Sequence, residues 1–99
     1  MNINEWYAKQ CGVLTSPKVW GYYDDENLIS ILDEWTIEDS RCREIIREKF
    51  GLTTVKANDT WLCMFHRKDK DPITRHGKSL PEAEIKCLKA IYEVRQDDE

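Results

Sequence analysis

Glycine and proline are scarce in this chain, four and three in 99 residues. A glycine-rich loop that cradles phosphate is hard to build from so few, and no Walker, dinucleotide-binding, G-x-S-x-G or H-E-x-x-H pattern occurs. The four cysteines, Cys11, Cys42, Cys63 and Cys87, form no C-x-x-C. That argues against a zinc knuckle or a thioredoxin-type motif and for reduced, buried thiols. His66 and His76 stand ten residues apart with no ligand spacing around them, so no metal is expected. No apolar run reaches membrane-spanning length, and Met1 to Gly12 carries Asn, Glu and Lys where a signal peptide would be apolar. The expectation is therefore no catalytic residue, no cofactor, no membrane, and a cytoplasmic setting.

What the chain does have is enough apolar material for a core, at 40% of residues with four Trp, four Tyr and two Phe. The low hydrophobicity of disordered chains is absent, and the length suits one domain, residues 1–99, ending in an acidic tail at 95–99 that is expected to be disordered. Residues 36–67 organise the reading. Thr36 and Asp39 have capping spacing, and Cys42, Ile45, Ile46 and Phe50 recur at helical spacing. Gly51 then supplies a helix stop. Arg43, Glu44, Arg47 and Glu48 read as the solvated side. Residues 52–57 and 60–67 alternate as strands around Asn58-Asp59, a hairpin turn. Trp61, Cys63 and Phe65 fall on one side of the second strand and Leu62 and Met64 on the other, so both faces need cover.

Elsewhere, Asn2-x-x-Glu5 and Gly12 bracket a helix over 2–11, and Ser79-x-x-Glu82 opens one over 79–94. Residues 19–23 read as a third strand or an aromatic loop. Residues 25–35 favour a helix through Leu28, Ile31, Leu32 and Trp35, although Ile29-Ser30-Ile31 also alternates. Lys68 to Lys78 reads as a charged, mobile loop broken by Pro72 and Gly77. The 79–94 helix carries an apolar arc wider than a one-sided surface helix needs, which leaves monomer and homodimer both open. The fold class is α+β: a small antiparallel sheet packed with the helices 2–11, 37–50 and 79–94, in an α/β/α sandwich-like arrangement. Ile45, Ile46, Phe50, Trp61, Cys63, Phe65, Leu88 and Ile91 are the expected core.

Charge is unevenly laid out. The formal net charge is −4, and residues 24–39 hold seven acids and no Lys or Arg. Asp24, Asp25, Glu26, Asp33 and Glu34, with the aromatics Trp20, Tyr22 and Tyr23, are the candidates for contacting a protein partner, since an acidic face attracts a basic one. Residues 67–78 hold five bases and two acids. Arg67, Lys68, Lys70, Arg75, His76 and Lys78 are the candidates for a small ligand or nucleic acid. The acidic balance and the lack of interleaved aromatics argue against nucleic acid. Paired carboxylates at helix starts are explained by capping. Cys63 and His66, three apart on a strand, fall on opposite sides and make no dyad.

The segments INEWYAKQCGV, DSRCREIIREKFGL running into TWLCMF, and SLPEAEIKCLKAIYEV together resemble the phage α-β-α sandwich domain, a group of small phage and prophage proteins. The matched pattern covers about two thirds of the chain, mostly at core positions, and the family brings no catalytic residues with it. The resemblance implies a phage or prophage setting and a role in host takeover or defence evasion. The resulting expectation is a non-enzymatic accessory protein that binds a host or phage protein. The alternative is a small ligand- or nucleic-acid-binding module using residues 67–78.

Overall fold

The computed structural model describes residues 2–15, 20–24, 27–32 and 35–98, with side chains over 2–13 and 35–95. The elements run α1 (Ile3–Gln10), β1 (Leu14–Thr15), β2 (Trp20–Asp24), β3 (Asn27–Leu32), α2 (Ser40–Phe50), β4 (Thr53–Ala57), β5 (Thr60–Arg67), β6 (Lys70–Gly77) and α3 (Leu80–Asp98). This is an α+β chain. It divides into two units, Met1–Ile46 and Arg47–Glu99, with the boundary inside α2.

In the first unit, α1 starts where the sequence says it should. The Asn2 side chain accepts from the Glu5 N–H at 2.9 Å, and Gly12 leaves the helix at φ +70°. The Val13 N–H then reaches back to the Ala8 carbonyl at 2.8 Å, closing the last turn. Trp6, Tyr7 and Ala8 are buried, and the Trp6 and Tyr7 rings meet edge to face at 4.9 Å. The strands form an antiparallel sheet in the order β1-β2-β3. Residues 27–32 are therefore strand where helical spacing suggested a helix. Their alternation is used instead, because β2 is there to pair with them: Tyr22 stands across from Ile29 and Tyr23 across from Leu28. The third strand near 19–23 exists, but it belongs to this sheet and not to the 53–67 hairpin.

α2 begins at Ser40, three residues later than the sequence suggests. The Asp39 N–H bonds the Thr36 carbonyl at 3.1 Å and makes a turn of residues 36–39. Asp39 then caps the helix by accepting from the Arg41 N–H at 2.8 Å. Arg43 is not on the solvated side. It is buried, and its Nη1 donates to the carbonyls of Ile37 at 3.1 Å and Glu38 at 2.7 Å. The guanidinium satisfies carbonyls that the turn leaves without backbone partners, which offsets the cost of burying it.

The second unit holds the sheet β4-β5-β6 and α3. Gly51 (φ +66°) ends α2, and the Leu52 N–H bonds the Arg47 carbonyl at 3.0 Å. Asn58 adopts φ +58° in the β4–β5 turn, as its side chain allows. The segment read as a mobile loop is strand β6. Pro72 breaks a strand in general, but β6 is an edge strand and Pro72 falls where its register against β5 shifts; both are places a sheet tolerates proline. Gly77, the second expected breaker, ends the strand. It is buried across from Trp61, and a Cβ there would stand 2.8 Å from the Ala83 backbone nitrogen. It is glycine because the end of β6 lies against the first turn of α3.

α3 opens with the expected box: the Glu82 N–H bonds Ser79 Oγ at 3.3 Å, and the Glu82 carboxylate accepts from the Lys78 N–H at 2.8 Å. That backbone bond, then Lys86 one turn on, hold the Glu82 carboxyl below the usual range. The helix runs past Val94 to Asp98 and packs on β5 and β6. Ala83, Cys87, Leu88, Ala90 and Ile91 are buried on it, against Cys63, Phe65 and Ile73 of the sheet. Phe50 meets Phe65 at 5.9 Å between ring centroids. Of the expected core, Ile45, Phe50 and Trp61 are only half-buried. Leu88→Ala should therefore cost about 2–5 kcal/mol and more than Phe50→Ala, while Gly77→Ala should cost about 1–3 kcal/mol by overpacking. Urea denaturation measures all three, and a Leu88→Ala midpoint equal to that of the unmodified protein would contradict this packing.

Candidate functional site

The sequence offered two charged segments, and the second can be followed in side-chain detail. Lys68-Asp69 forms the turn between β5 and β6, with Asp69 at φ +62° and Arg67 paired to Lys70 across it. The strands are regular from Trp61 to Phe65, each residue meeting its β6 partner in turn, and the register then slips between Phe65 and Arg67. A regular strand sends successive side chains to opposite faces. Here Phe65, His66 and Arg67, three in a row, all border one cleft, at the point where β6 carries an extra residue, 71–72 standing against 66.

The cleft has a volume of about 290 Å³. Its floor is apolar: Phe65 and Ile73, paired across the strands, with Ile91 and Val94 from α3. Its rim is basic: Arg67, Lys68, Lys70 and Arg95, with His66 beside them. Ile91, Val94 and Arg95 reach it together because residues three and four apart share a helix face. Among the described residues, no acidic side chain lines it. Asp69 and Asp71 lie just outside, on the flatter surface that Arg67 and Lys70 also border, and Arg67 Nε donates to the Asp71 carbonyl at 2.7 Å.

The six basic-segment candidates are thus divided. Arg67, Lys68 and Lys70 come together at the cleft. Arg75, His76 and Lys78 lie at the far end of β6, about 17 Å away at the usual rise per strand residue. Arg75 Nη1 donates to the neighbouring Thr74 carbonyl. Sequence reasoning missed Arg95, His66 and the apolar floor. The signal available for the floor was the surplus breadth of the α3 arc, to which Ile91 and Val94 belong.

Of the acidic-segment candidates, Trp20, Tyr22, Tyr23 and Asp24 lie on β2, with Asp24 across from Asn27. Asp25, Glu26, Asp33 and Glu34 lie outside the described residues.

The cysteines are all free and buried. Cys87 Sγ donates to the Ile73 carbonyl at 3.9 Å. A hydrogen bond shared with Cys87, then burial, hold the Cys63 thiol well above the usual range, and burial raises that of Cys42. Buried thiols with raised pKa values are poor nucleophiles. Among the described residues, no group of three His, Cys, Asp or Glu side chains could hold a metal ion, and no helix is long and apolar enough to cross a membrane.

No protein-family model, curated protein or solved structure matches the chain.

Iodoacetamide should leave Cys42 and Cys63 unmodified in the folded protein and alkylate both after unfolding. Peptide mass spectrometry reads the sites, and rapid labelling of Cys63 under native conditions would contradict the assignment of these thiols to the core.

Proposed function

We propose that this chain is a non-enzymatic accessory protein of a phage or prophage, acting in the host cytoplasm by binding another protein, a component of a host defence or regulatory complex. The observation that carries the reading is the β2–β3 pairing. It gathers Trp20, Tyr22, Tyr23 and Asp24 on one strand, and the remaining acidic candidates adjoin its paired strand in the sequence. Aromatic residues are the usual anchors of protein interfaces. Acidic residues around them steer a basic partner and set its register more than they add affinity. The phage setting rests on the resemblance of the helix and strand segments described above.

A second reading is ligand binding by the basic segment, and the cleft at the β5–β6 turn favours it.

The first reading is tested by affinity capture from host lysate with quantitative mass spectrometry, comparing the unmodified chain with Tyr23→Ala, Asp24→Lys and Lys68→Gln. A stoichiometric protein should be captured by the unmodified chain and by Lys68→Gln, and be depleted about tenfold or more by each hairpin variant whose circular dichroism is native. Equal capture by all four would show that the hairpin is not the contact.

A further inference from the structure

The cleft combines two features that a solvated basic turn does not need. Its rim carries Arg67, Lys68, Lys70 and Arg95 with no acidic side chain among the described residues that line it, in a chain whose net charge is −4. Its floor is apolar, and it lies at the bulge opposite Phe65/Arg67, where three successive residues of β5 border it. Bulges commonly re-aim side chains at sites. We propose that this cleft binds a small amphipathic anion: one carboxylate or phosphate on a short apolar body. The proposal rests on the ligand-binding reading and names the ligand class for it.

Each part of the ligand follows from a part of the cleft. Guanidinium and ammonium groups from two elements, the β5–β6 turn and α3, converge on one mouth, which suits a single anionic head held by charge-assisted hydrogen bonds. Val94 is half-buried, and Phe65 and Ile73 keep a narrow exposed edge over the fully buried Ile91, so an apolar body seated there leaves water without burying an unpaired polar group. Size sets the limit. Small-molecule sites span roughly 300–1,000 Å³, and about 290 Å³ falls at the small end, enough for a short alkyl or aryl acid. A nucleic-acid strand fits less well. It needs a continuous basic track and a series of exposed rings for stacking, whereas the basic residues of β6 are split between its two ends and the cleft offers one exposed ring, His66, beside the buried Phe65.

The test is a two-dimensional NMR titration of the full ¹⁵N-labelled chain with octanoate, octyl phosphate, octan-1-ol, inorganic phosphate and an oligothymidylate. Octanoate or octyl phosphate should shift the amides of residues 65–70 and 91–95 saturably, the stronger of the two identifying the head group. Octanol and inorganic phosphate should each bind about tenfold more weakly or worse, because each lacks half of the recognition. Raised salt should weaken octanoate binding. Lys68→Gln and Arg95→Gln should each raise its Kd several-fold, and Val94→Asp, which puts a carboxylate on the floor, should abolish binding while leaving the rest of the spectrum unchanged. Octanol binding as well as octanoate would overturn the anionic part, and inorganic phosphate binding as well would overturn the apolar part. Oligothymidylate binding alone would overturn the small-ligand proposal while keeping the basic segment as a binding surface. Shifts from none of the five would overturn both.

Discussion

The second unit is arranged around a carboxylate that cannot be left alone. Glu84 lies on the packed side of α3 with its side chain 2% exposed, and Arg47 from the last turn of α2 meets it at 2.5 Å. An ionised carboxylate in that position is costly unless a cation and hydrogen bonds accompany it. Arg47 supplies both, and it can do so only if α2 ends where Gly51 ends it and the chain turns at once into β4. The same carboxylate acts on the thiols nearby: its charge disfavours a thiolate at Cys63, adding to the shared hydrogen bond and burial. One ion pair thus ties α2's final turn to α3 and helps hold Cys63 as a thiol. The α3 face that it anchors continues about two to three turns on to Ile91, Val94 and Arg95, the helix side of the cleft.

The two charged segments lie in different units. The acidic one adjoins a small aromatic hairpin in the first unit. The basic one is folded by a turn, a bulge and an edge strand into a cleft with an apolar floor. In both cases local charge departs from the −4 of the whole chain, and each proposed partner complements that departure: a basic protein surface for the first, a small anion for the second.

Features decided within four or five residues could be read from the sequence. The Asn2/Glu5 and Ser79/Glu82 caps, the glycine stops at Gly12 and Gly51 and the Asn58 turn are all where capping and turn chemistry put them. Features that depend on a distant partner could not. Leu28, Ile31, Leu32 and Trp35 fit a helix until β2 is present to pair with residues 27–32. Pro72 and Gly77 break a strand in general, but not at a bulge on an edge strand or where a helix start must come close. Arg43 and Arg47 read as solvated because nothing local marks the carbonyls of Ile37 and Glu38 or the carboxylate of Glu84. The cleft joins residues from β5, β6 and α3, so its basic half was visible as a charged run and its apolar half only as an unexplained excess on α3.

The dependence of this unit on the Arg47–Glu84 pair predicts an asymmetry, because Arg47 is 33% exposed and Glu84 is not. Guanidinium denaturation of Arg47→Met, Glu84→Leu and the double variant measures it. Arg47→Met strands a buried carboxylate and should cost about 3 kcal/mol. Glu84→Leu leaves a cation that can turn to water and should cost about 1 kcal/mol. The double variant should recover most of what Arg47→Met loses. A double variant less stable than Arg47→Met, or an Arg47→Met protein as stable as the unmodified chain, would contradict the account.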